Sequence, residues 1–334
     1  MHNSRDPKEI LDEITSPVSA ELREMEREFR LLVQSNVPII NNIINHIAVY
    51  KGKRLRPILL LLCSGMTGEI TDDSIKAAAM VELLHTATLV HDDVIDESDM
   101  RRGGLSVNAA WGNKVSILIG DLFFSRVLYR LSQIKNPEVT CLMSMTIKRI
   151  CEGELIQLRN GHDHAIIDEK VYFSLIAKKT ASLLAAACEI GALSANSSNG
   201  SRDRENLKSF GERLGIAFQI KDDLMDLTGT QDKLGKPIAK DIIENTVTLP
   251  ILYGLAHSNN GDHERIRAII ENGIGEDDLD TICRFAEESG GIEYAEQKAK
   301  QYTDMALSRL HDYEDSQYKR SLIRLTHFVT DRSY

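Results

Sequence analysis

Proline and strand-like patterns are scarce in this chain. Only 7 prolines occur in 334 residues, and alternating apolar and polar residues bounded by Asn-Gly or Asp-Gly turns are nearly absent. Apolar residues instead recur at i, i+3 and i+4, the spacing of one helix face. A collagen-like or mostly disordered chain is excluded, because 42% of the residues are apolar. The sequence therefore predicts an all-α globular protein.

Paired cysteines, a signal segment and long apolar runs are also lacking. The 5 cysteines show no CxxC spacing, which favours reduced thiols. Residues 1–14 are rich in acidic side chains and have no apolar core, so a secretory signal is not expected. The longest apolar run, 58–63, is far too short to cross a bilayer. We therefore predict a cytoplasmic protein with at most peripheral membrane contact.

A surplus of basic residues is missing too. The chain has 40 Lys and Arg residues against 50 Asp and Glu residues, a formal net charge of -10. Binding of nucleic acid is therefore not expected, since it normally requires a basic surface. An anionic ligand would need aimed Lys and Arg side chains, or divalent cations held by carboxylates.

Helical periodicity extends along the whole chain, and no linker divides it. The stretches 75–90 and 180–195 are apolar on almost every face, which is typical of helices surrounded by other helices. The polar breaks at 194–202 and 259–263 have loop composition. We therefore predict one domain over 1–334, a single large helical bundle. The predicted helices are 19–34, 37–50, 57–63, 74–92, 114–133, 138–160, 168–195, 204–227, 247–256 and 292–311.

The strongest pattern is a cluster of carboxylates after an apolar run. Asp92, Asp93 and Asp96 directly follow the apolar residues 80–90. At 100° per residue, Asp92 and Asp96 lie about 40° apart around a helix, with Asp93 beside them. Their mutual repulsion at a helix C-terminus would be destabilising unless a cation lies between them.

A second D-D-x-x-D cluster, Asp222, Asp223 and Asp226, also follows an apolar run. Burial of six carboxylates without compensation would be prohibitively unfavourable. Oxygen ligands without His or Cys partners favour a hard cation, and Mg²⁺ typically binds one or two carboxylates together with substrate phosphates. The two clusters therefore predict a metal-bridged diphosphate. His91 has no companion at ligand spacing, so we expect it to form a hydrogen bond and not to bind metal.

Two basic runs provide groups for a second anion in this acidic chain. They are Lys53, Arg54 and Arg56 before one predicted helix, and Arg101 and Arg102 after the first aspartate cluster. Arginine suits phosphate because its planar guanidinium bonds two oxygens at once. Together with the aspartates, the basic runs predict that two separate anions are held near one cavity.

In combination, these motifs resemble the trans-polyprenyl diphosphate synthase family of head-to-tail prenyltransferases. The similar segments are GKRLRP at 52–57, ELLH at 82–85, HTATLVHDDVIDESDMRRG at 85–103, FQ at 218–219 and DDLMD at 222–226. They cover nearly the whole chain, and the segment around the first aspartates is most similar to octaprenyl and other long-chain synthases. The resemblance implies an all-α bundle of the isoprenoid synthase type around a deep central cavity.

The resemblance also implies roles for individual residues. Both aspartate clusters would hold three Mg²⁺ ions that bind the allylic diphosphate, and Asp92 and Asp93 would be catalytic. Thr246 stands where the family commonly has a lysine, which shifts diphosphate binding towards other lysines. The groups implied for isopentenyl diphosphate are Lys53, Arg56, His85 and Arg102. Those implied for the allylic diphosphate are Arg101, Lys179, Lys236 and Lys240. Thr180 and Gln219 would lie near the carbocation, and together with Lys179 they would also be catalytic.

Two residues before the first aspartates bear on product length. In the family, an aromatic residue five positions before the first aspartate shortens the product, whereas here that residue is Ala87, followed by Thr88. A tunnel for the growing chain would stay open at this level, so we expect a product of about C40, within C30 to C50. The floor would lie deeper, at one of four residues: Phe123, Phe124, Met143 or Ile147.

The expected reaction joins farnesyl diphosphate to successive isopentenyl diphosphates on a homodimer, as the resemblance implies. A short-chain farnesyl or geranylgeranyl diphosphate synthase is an alternative, although Ala87 speaks against it. A class I terpene cyclase is a less favoured alternative, because such enzymes usually replace the second aspartate cluster by a mixed Asn/Ser/Glu motif that this sequence lacks. Another alternative is a catalytic or regulatory subunit of a heteromeric synthase. A regulatory subunit would be expected to have lost one aspartate cluster, whereas both are complete here.

Overall fold

The computed structural model describes residues 6–50, 52–134, 136–162, 166–195, 200–228, 247–258 and 261–331. Within them the chain is almost entirely helical, which confirms the all-α class, and the strands Met100–Arg101 (β1) and Gly104–Leu105 (β2) pair antiparallel. In chain order the α-helices are α1 (Pro7–Thr15), α2 (Ser19–Val33), α3 (Pro38–Val49), α4 (Leu55–Thr67), α5 (Asp72–Ile95), α6 (Val107–Trp111), α7 (Asn113–Leu131), α8 (Pro137–His162), α9 (Glu169–Ile176), α10 (Ser182–Ser194), α11 (Gly200–Thr228), α12 (Leu249–His257), α13 (Gly261–Asn272), α14 (Leu279–Glu288), α15 (Gly291–Ser308) and α16 (Gln317–Thr330).

The periodicity misses five of these helices: the five-residue α6 and the longer α1, α13, α14 and α16. The four longer ones are rich in charged and polar residues and bury narrow apolar faces; α14, for example, buries Ile282, Phe285 and Ala286. The predicted helix 168–195 corresponds to the helical stretch Glu169–Ser194, in which a π-helical turn, Ala177–Ala181, separates α9 from α10. A π-turn leaves the apolar composition unchanged, so composition does not reveal it.

The chain divides into two compact units. Helices α8, α10, α11 and α16 contribute residues to both of them. The prediction of one domain over 1–334 stays a prediction. The first unit comprises Met1–Ser144, Ala186–Lys208 and Asp312–Leu325, and the second comprises Met145–Ala185, Ser209–His311 and Thr326–Tyr334.

The core of the first unit is built on α4 and α5, whose sequences are apolar on nearly every face. All side chains from Pro57 to Ser64 in α4 are buried. Helix α5 begins at a capping box in which Thr71 Oγ1 accepts from the Ser74 amide and Ser74 Oγ accepts from the Thr71 amide. The helix continues to Ile95 and so carries the first aspartate cluster at its C-terminal end.

The core of the second unit joins α9, α11, α12, α14 and α15, with Tyr172, Ile220 and Phe285 among its members. The π-turn packs directly on α11 at Gly215. A Cβ atom there would lie 2.5 Å from the Cα of Ala181. Glycine at this position therefore permits the close approach of the two backbones.

The helical stretch Glu169–Ser194 is long and apolar enough, by length and composition alone, to cross a membrane. Its sequence contains no long uninterrupted apolar run, because Lys178 and Lys179 lie in its middle. In its most apolar window, 61% is buried inside the structure, which is typical of a core helix.

Candidate active site

The first aspartate cluster lies at the last turn of α5. Asp93 is 3% exposed, and its Oδ1 accepts a hydrogen bond of 2.6 Å from Arg101 Nε. Asp92 and Asp96 are half-buried, and Asp96 caps the helix. The second carboxylate of the cluster is thus neutralised by a basic residue of the predicted diphosphate site.

A short hairpin returns Arg101 to the end of α5. In it, Met100 pairs with Leu105 and Arg101 pairs with Gly104. Arg102 has a left-handed backbone with φ of 52°, a conformation that is uncommon for a residue with a side chain. After the hairpin, Asn108 of α6 donates through Nδ2 to the carbonyl of Asp93 at 3.1 Å and so ties α6 to the end of α5.

The basic run before α4 surrounds an ion-pair cluster that sequence reasoning missed. Arg54 caps α4 in a left-handed conformation with φ of 54° and donates to Glu82 at 2.6 Å and to Glu26 at 3.0 Å. Its guanidinium also lies 4.9 Å from the ring centre of Phe29. Glu82 is 2% exposed, so Arg54 compensates a buried charge. In the sequence, the only sign of this ion pair is that Glu82 stands between apolar residues of α5.

His85 lies on α5 in a field of arginines. It is half-buried, and its pKa lies well below the ordinary value because burial disfavours the charged ring and Arg56, Arg102, Arg101 and Arg54 add positive potential. His85 is therefore a neutral hydrogen-bonding group at pH 7. The predicted groups Arg56, His85, Arg101 and Arg102 thus come together in the first unit.

Lys53 and Arg102 complete the basic surface at this place. Lys53 is exposed immediately before Arg54. The guanidinium of Arg102 lies against Gly52, where a Cβ atom would be 2.5 Å from its Cζ. Arg54, Asp93, Arg101 and Arg102 also line one cavity of about 60 Å³ together with apolar side chains such as those of Phe29 and Leu89. The cavity mixes charged and apolar walls, but its volume is well below the roughly 300 to 1,000 Å³ of a small-molecule site.

His91 forms contacts within the first unit, and these match its predicted hydrogen-bonding role. Its Nε2 lies 3.1 Å from the carbonyl oxygen of Ile117, and its ring stacks on Phe124 with centroids 5.6 Å apart. Gly120 makes room for the ring, since a Cβ atom there would lie 2.1 Å from Nε2. His91 thus ties α5 to α7 beside the aspartates.

The second aspartate cluster lies near the end of α11. Asp223 is 7% exposed and accepts hydrogen bonds at both oxygens, from Gln219 Nε2 at 2.9 Å and from Tyr172 OH at 2.5 Å. Asp222 and Asp226 are half-buried. As in the first cluster, the second aspartate has protein partners and is the most buried of the three.

The π-turn carries Lys179 and Thr180. Lys179 Nζ lies 2.8 Å from Glu154 Oε2 and 3.0 Å from Gln157 Oε1, both on α8. Thr180 Oγ1 donates to Gln219 Oε1 at 2.7 Å. The sequence assigns no role to Glu154, because a pair 25 residues apart leaves no local pattern. Single π-turns inside α-helices frequently mark functional sites.

The oxygen donors of each cluster fit a hard cation that also binds a substrate. Across the part of the chain that the structure describes, no group of three or more His, Cys, Asp or Glu side chains is arranged to hold a metal ion. Mg²⁺ does not require such a cage, because it typically keeps one or two carboxylates and completes its shell with phosphate oxygens and water. The residues present therefore fit Mg²⁺ bound together with a diphosphate.

The product-length residues are placed as follows. Ala87 is completely buried on α5, and Thr88 Oγ1 donates to the carbonyl of His85 at 2.9 Å. Among the four predicted floor residues, Phe123 and Met143 are 1% exposed, and Phe124 and Ile147 are half-buried.

Three residues of the predicted allylic diphosphate site, Lys236, Lys240 and Thr246, lie outside the described residues.

Three comparisons with known proteins show which family the chain resembles. The family model described as polyprenyl synthetase matches residues 37–285. An octaprenyl diphosphate synthase of Escherichia coli is 35% identical over 90% of this chain and 92% of its own length, and heptaprenyl diphosphate synthase component 2 of Geobacillus stearothermophilus is 33% identical over 95% and 97%. A polyprenyl synthase of Caulobacter crescentus, solved with calcium and isoprenyl diphosphate, superposes with a TM-score of 0.90 at 32% identity over 96% and 98%.

Proposed function

The chain belongs to the polyprenyl synthetase family of trans-prenyl diphosphate synthases, and we propose that it extends farnesyl diphosphate with successive isopentenyl diphosphates to a long all-trans product. The proposed product is octaprenyl diphosphate, about C40, within C30 to C50. The observation that carries the proposal is the pair of D-D-x-x-D clusters on buried helices, each with its second carboxylate in protein hydrogen bonds.

The proposed mechanism assigns the allylic diphosphate to the aspartates. Asp92 and Asp96, together with Asp222 and Asp226, would bind Mg²⁺ through carboxylate oxygens. Bound Mg²⁺, three ions by family resemblance, supplies positive charge that favours departure of the diphosphate. Arg101 and Lys179, with Lys236 and Lys240, would bind the leaving oxygens as their negative charge grows.

Isopentenyl diphosphate would bind at the other basic group. Lys53, Arg56 and Arg102 neutralise its diphosphate, and neutral His85 donates a hydrogen bond without adding charge. The allylic C–O bond breaks with its electron pair on the diphosphate, and the isopentenyl double bond then attacks the allylic carbon. A proton leaves the new cation to the departed diphosphate, which restores a double bond. The oxygens of Thr180 and Gln219 would stabilise the positive charge that develops between these steps.

The proposal includes an assembly and a compartment. Helix α7 exposes Leu118 (67%), Leu128 and Tyr129 (68%), and a row of large apolar side chains on a solvent face favours association. We propose a homodimer in the cytoplasm, without a nucleic-acid partner and with at most peripheral membrane contact. Light scattering of the purified protein tests the mass of the assembly directly.

The test is to incubate the purified protein with farnesyl diphosphate, labelled isopentenyl diphosphate and Mg²⁺, with and without a chelator. Chromatographic sizing should show a Mg²⁺-dependent product near C40. The Asp92→Asn variant should lose the activity, whereas the Asp304→Asn variant, which changes an exposed carboxylate on α15, should keep it. A C20 product would favour a short-chain synthase. No product from the protein alone would favour a heteromeric subunit, as the name of the Geobacillus relative suggests for that protein.

A further inference from the structure

Tyr172 is a buried polar residue that the mechanism above does not use. It is 1% exposed in the apolar core of the second unit, yet its hydroxyl donates to Asp223 Oδ2 at 2.5 Å. From Asp223 a row of hydrogen bonds continues through Gln219 at 2.9 Å to Thr180 at 2.7 Å. Tyr172 and Thr180 are therefore the two ends of one polar network, which joins α9 and the π-turn to α11.

The π-turn explains how both ends reach the same partners. Tyr172 and Thr180 are eight residues apart, which corresponds to about 80° around a regular α-helix. The π-turn accommodates one extra residue, so the offset falls to about 20° and both hydroxyls lie on one face. Gln219 and Asp223, at i and i+4 on α11, also share one face. The π-turn thus brings Thr180 into register with Gln219 while Tyr172 contacts Asp223.

The network determines which way the amide of Gln219 points. Its nitrogen donates to Asp223, so its oxygen faces Thr180. Asp223 accepts at both oxygens, one from Gln219 and one from Tyr172. Removal of the Tyr172 hydroxyl would leave one oxygen of a buried carboxylate without that donor, and the carboxylate would turn towards other donors. The orientation of Gln219 would then lose its support.

We propose that Tyr172 is a positioning residue that holds Asp223, and through it the amide oxygen of Gln219, in the orientation required beside the developing carbocation. The inference rests on the proposed function, because the orientation of Gln219 matters to the reaction only if a carbocation forms beside it. Tyr172 itself does not touch substrate in this proposal. Its role is distinct from core packing, because a phenylalanine would fill the same volume without the hydroxyl.

The test compares Tyr172→Phe with Tyr294→Phe. Tyr294 is a matched control because its hydroxyl also donates to a carboxylate, that of Glu169, at 2.8 Å. We expect Tyr172→Phe to lower kcat about tenfold, the effect of one hydrogen bond to a charged group, with little change in KM for farnesyl diphosphate. The ratio of farnesol released by hydrolysis to condensed product should rise, because the carbocation is less well positioned. Tyr294→Phe should change neither quantity.

A second readout does not depend on turnover. In protein labelled with ¹⁵N-glutamine, the side-chain amide signals of Gln219 should shift and exchange faster with water in Tyr172→Phe, but not in Tyr294→Phe. Unchanged Gln219 signals in a folded Tyr172→Phe variant would overturn the proposal, and so would an unchanged ratio of hydrolysis to condensation. A wild-type protein that does not condense the substrates would contradict the proposed function, whereas the amide signals would still decide whether Tyr172 orients Gln219.

Discussion

At the scale of single residues, the second carboxylate of each aspartate cluster is distinguished from its neighbours. Asp93 accepts from Arg101, and Asp223 accepts from Gln219 and Tyr172, and both are nearly buried. The outer aspartates of each cluster, at i and i+4, lie on a common helix face and are half-buried. We therefore expect the outer pairs to bind metal and the second aspartates to orient neighbouring groups.

His85 makes stability depend on pH. Its folded-state pKa lies well below the unfolded value of about 6.5, because of burial and the nearby arginines, so the folded protein binds fewer protons. Its contribution to stability is complete above about pH 6.5 and is lost as the pH falls towards the folded-state pKa, by about 1.4 kcal/mol per pH unit. Denaturant unfolding between pH 7 and 5 measures this slope. His85→Gln should reduce it.

Ala87 is the residue on which product length depends in our proposal. It is fully buried on α5, five positions before Asp92. Ala87→Tyr should block a tunnel at this level and shorten the product to about C15 or C20. Ala87→Ser, which adds little volume, should keep the long product. A folded Ala87→Tyr variant with unchanged product length would show that Ala87 does not face the tunnel.

At the scale of helices, glycines allow the π-turn to approach its neighbours. Gly215 on α11 lies against Ala181, and Gly153 on α8 lies against the backbone nitrogen of Lys179, where a Cβ atom would be 2.8 Å away. Both contacts are with backbone atoms, which cannot move as the end of a flexible side chain can. The placement of Lys179 and Thr180 therefore depends on small residues in two other helices.

Gly215→Ala tests this dependence. The new Cβ would lie 2.5 Å from the Cα of Ala181, so the backbones must separate, and we expect a loss of about 1 to 3 kcal/mol in the free energy of unfolding. Activity should fall as well, because Thr180 directly precedes Ala181. Gly200→Ala is the control at the start of the same helix, since a Cβ there meets nothing within 4 Å. Equal denaturant midpoints for the two variants would contradict the expectation.

At the scale of the whole molecule, local charge matters more than net charge. The chain carries a net charge of -10, yet four arginines act on His85. Within the described residues, the acidic side chains form no group of three that could hold a metal unaided. Mg²⁺ typically takes one or two carboxylates together with phosphate oxygens, so metal and diphosphate are expected to bind together.

This coupling predicts how ligands stabilise the protein. Mg²⁺ alone, or a chelator alone, should change the unfolding temperature little. Mg²⁺ together with an unreactive thio analogue of farnesyl diphosphate should stabilise the folded state by about 2.7 kcal/mol at a hundred times its Kd. Differential scanning calorimetry of the four mixtures measures the effect. A large rise with Mg²⁺ alone would instead indicate a metal site made by the protein without substrate.

The all-α class, the long apolar helices and the resemblance to a family follow from the order of the amino acids alone. These features depend on residues close together in the chain, such as the i, i+4 aspartates and the arginines of GKRLRP, so they leave a local pattern. The resemblance to trans-polyprenyl diphosphate synthases is confirmed by the family model and by relatives at 33% and 35% identity. The roles of individual site residues stay predictions.

The partners of these residues follow only from the folded structure. Arg54 with Glu82, Lys179 with Glu154 and Tyr172 with Asp223 lie about 25 to 50 residues apart, and no periodicity predicts them. The close packing of the π-turn on α11 at Gly215 is likewise a contact that no local spacing predicts. Local spacing specifies a helix and the face that a side chain occupies, whereas helix packing specifies what that side chain meets.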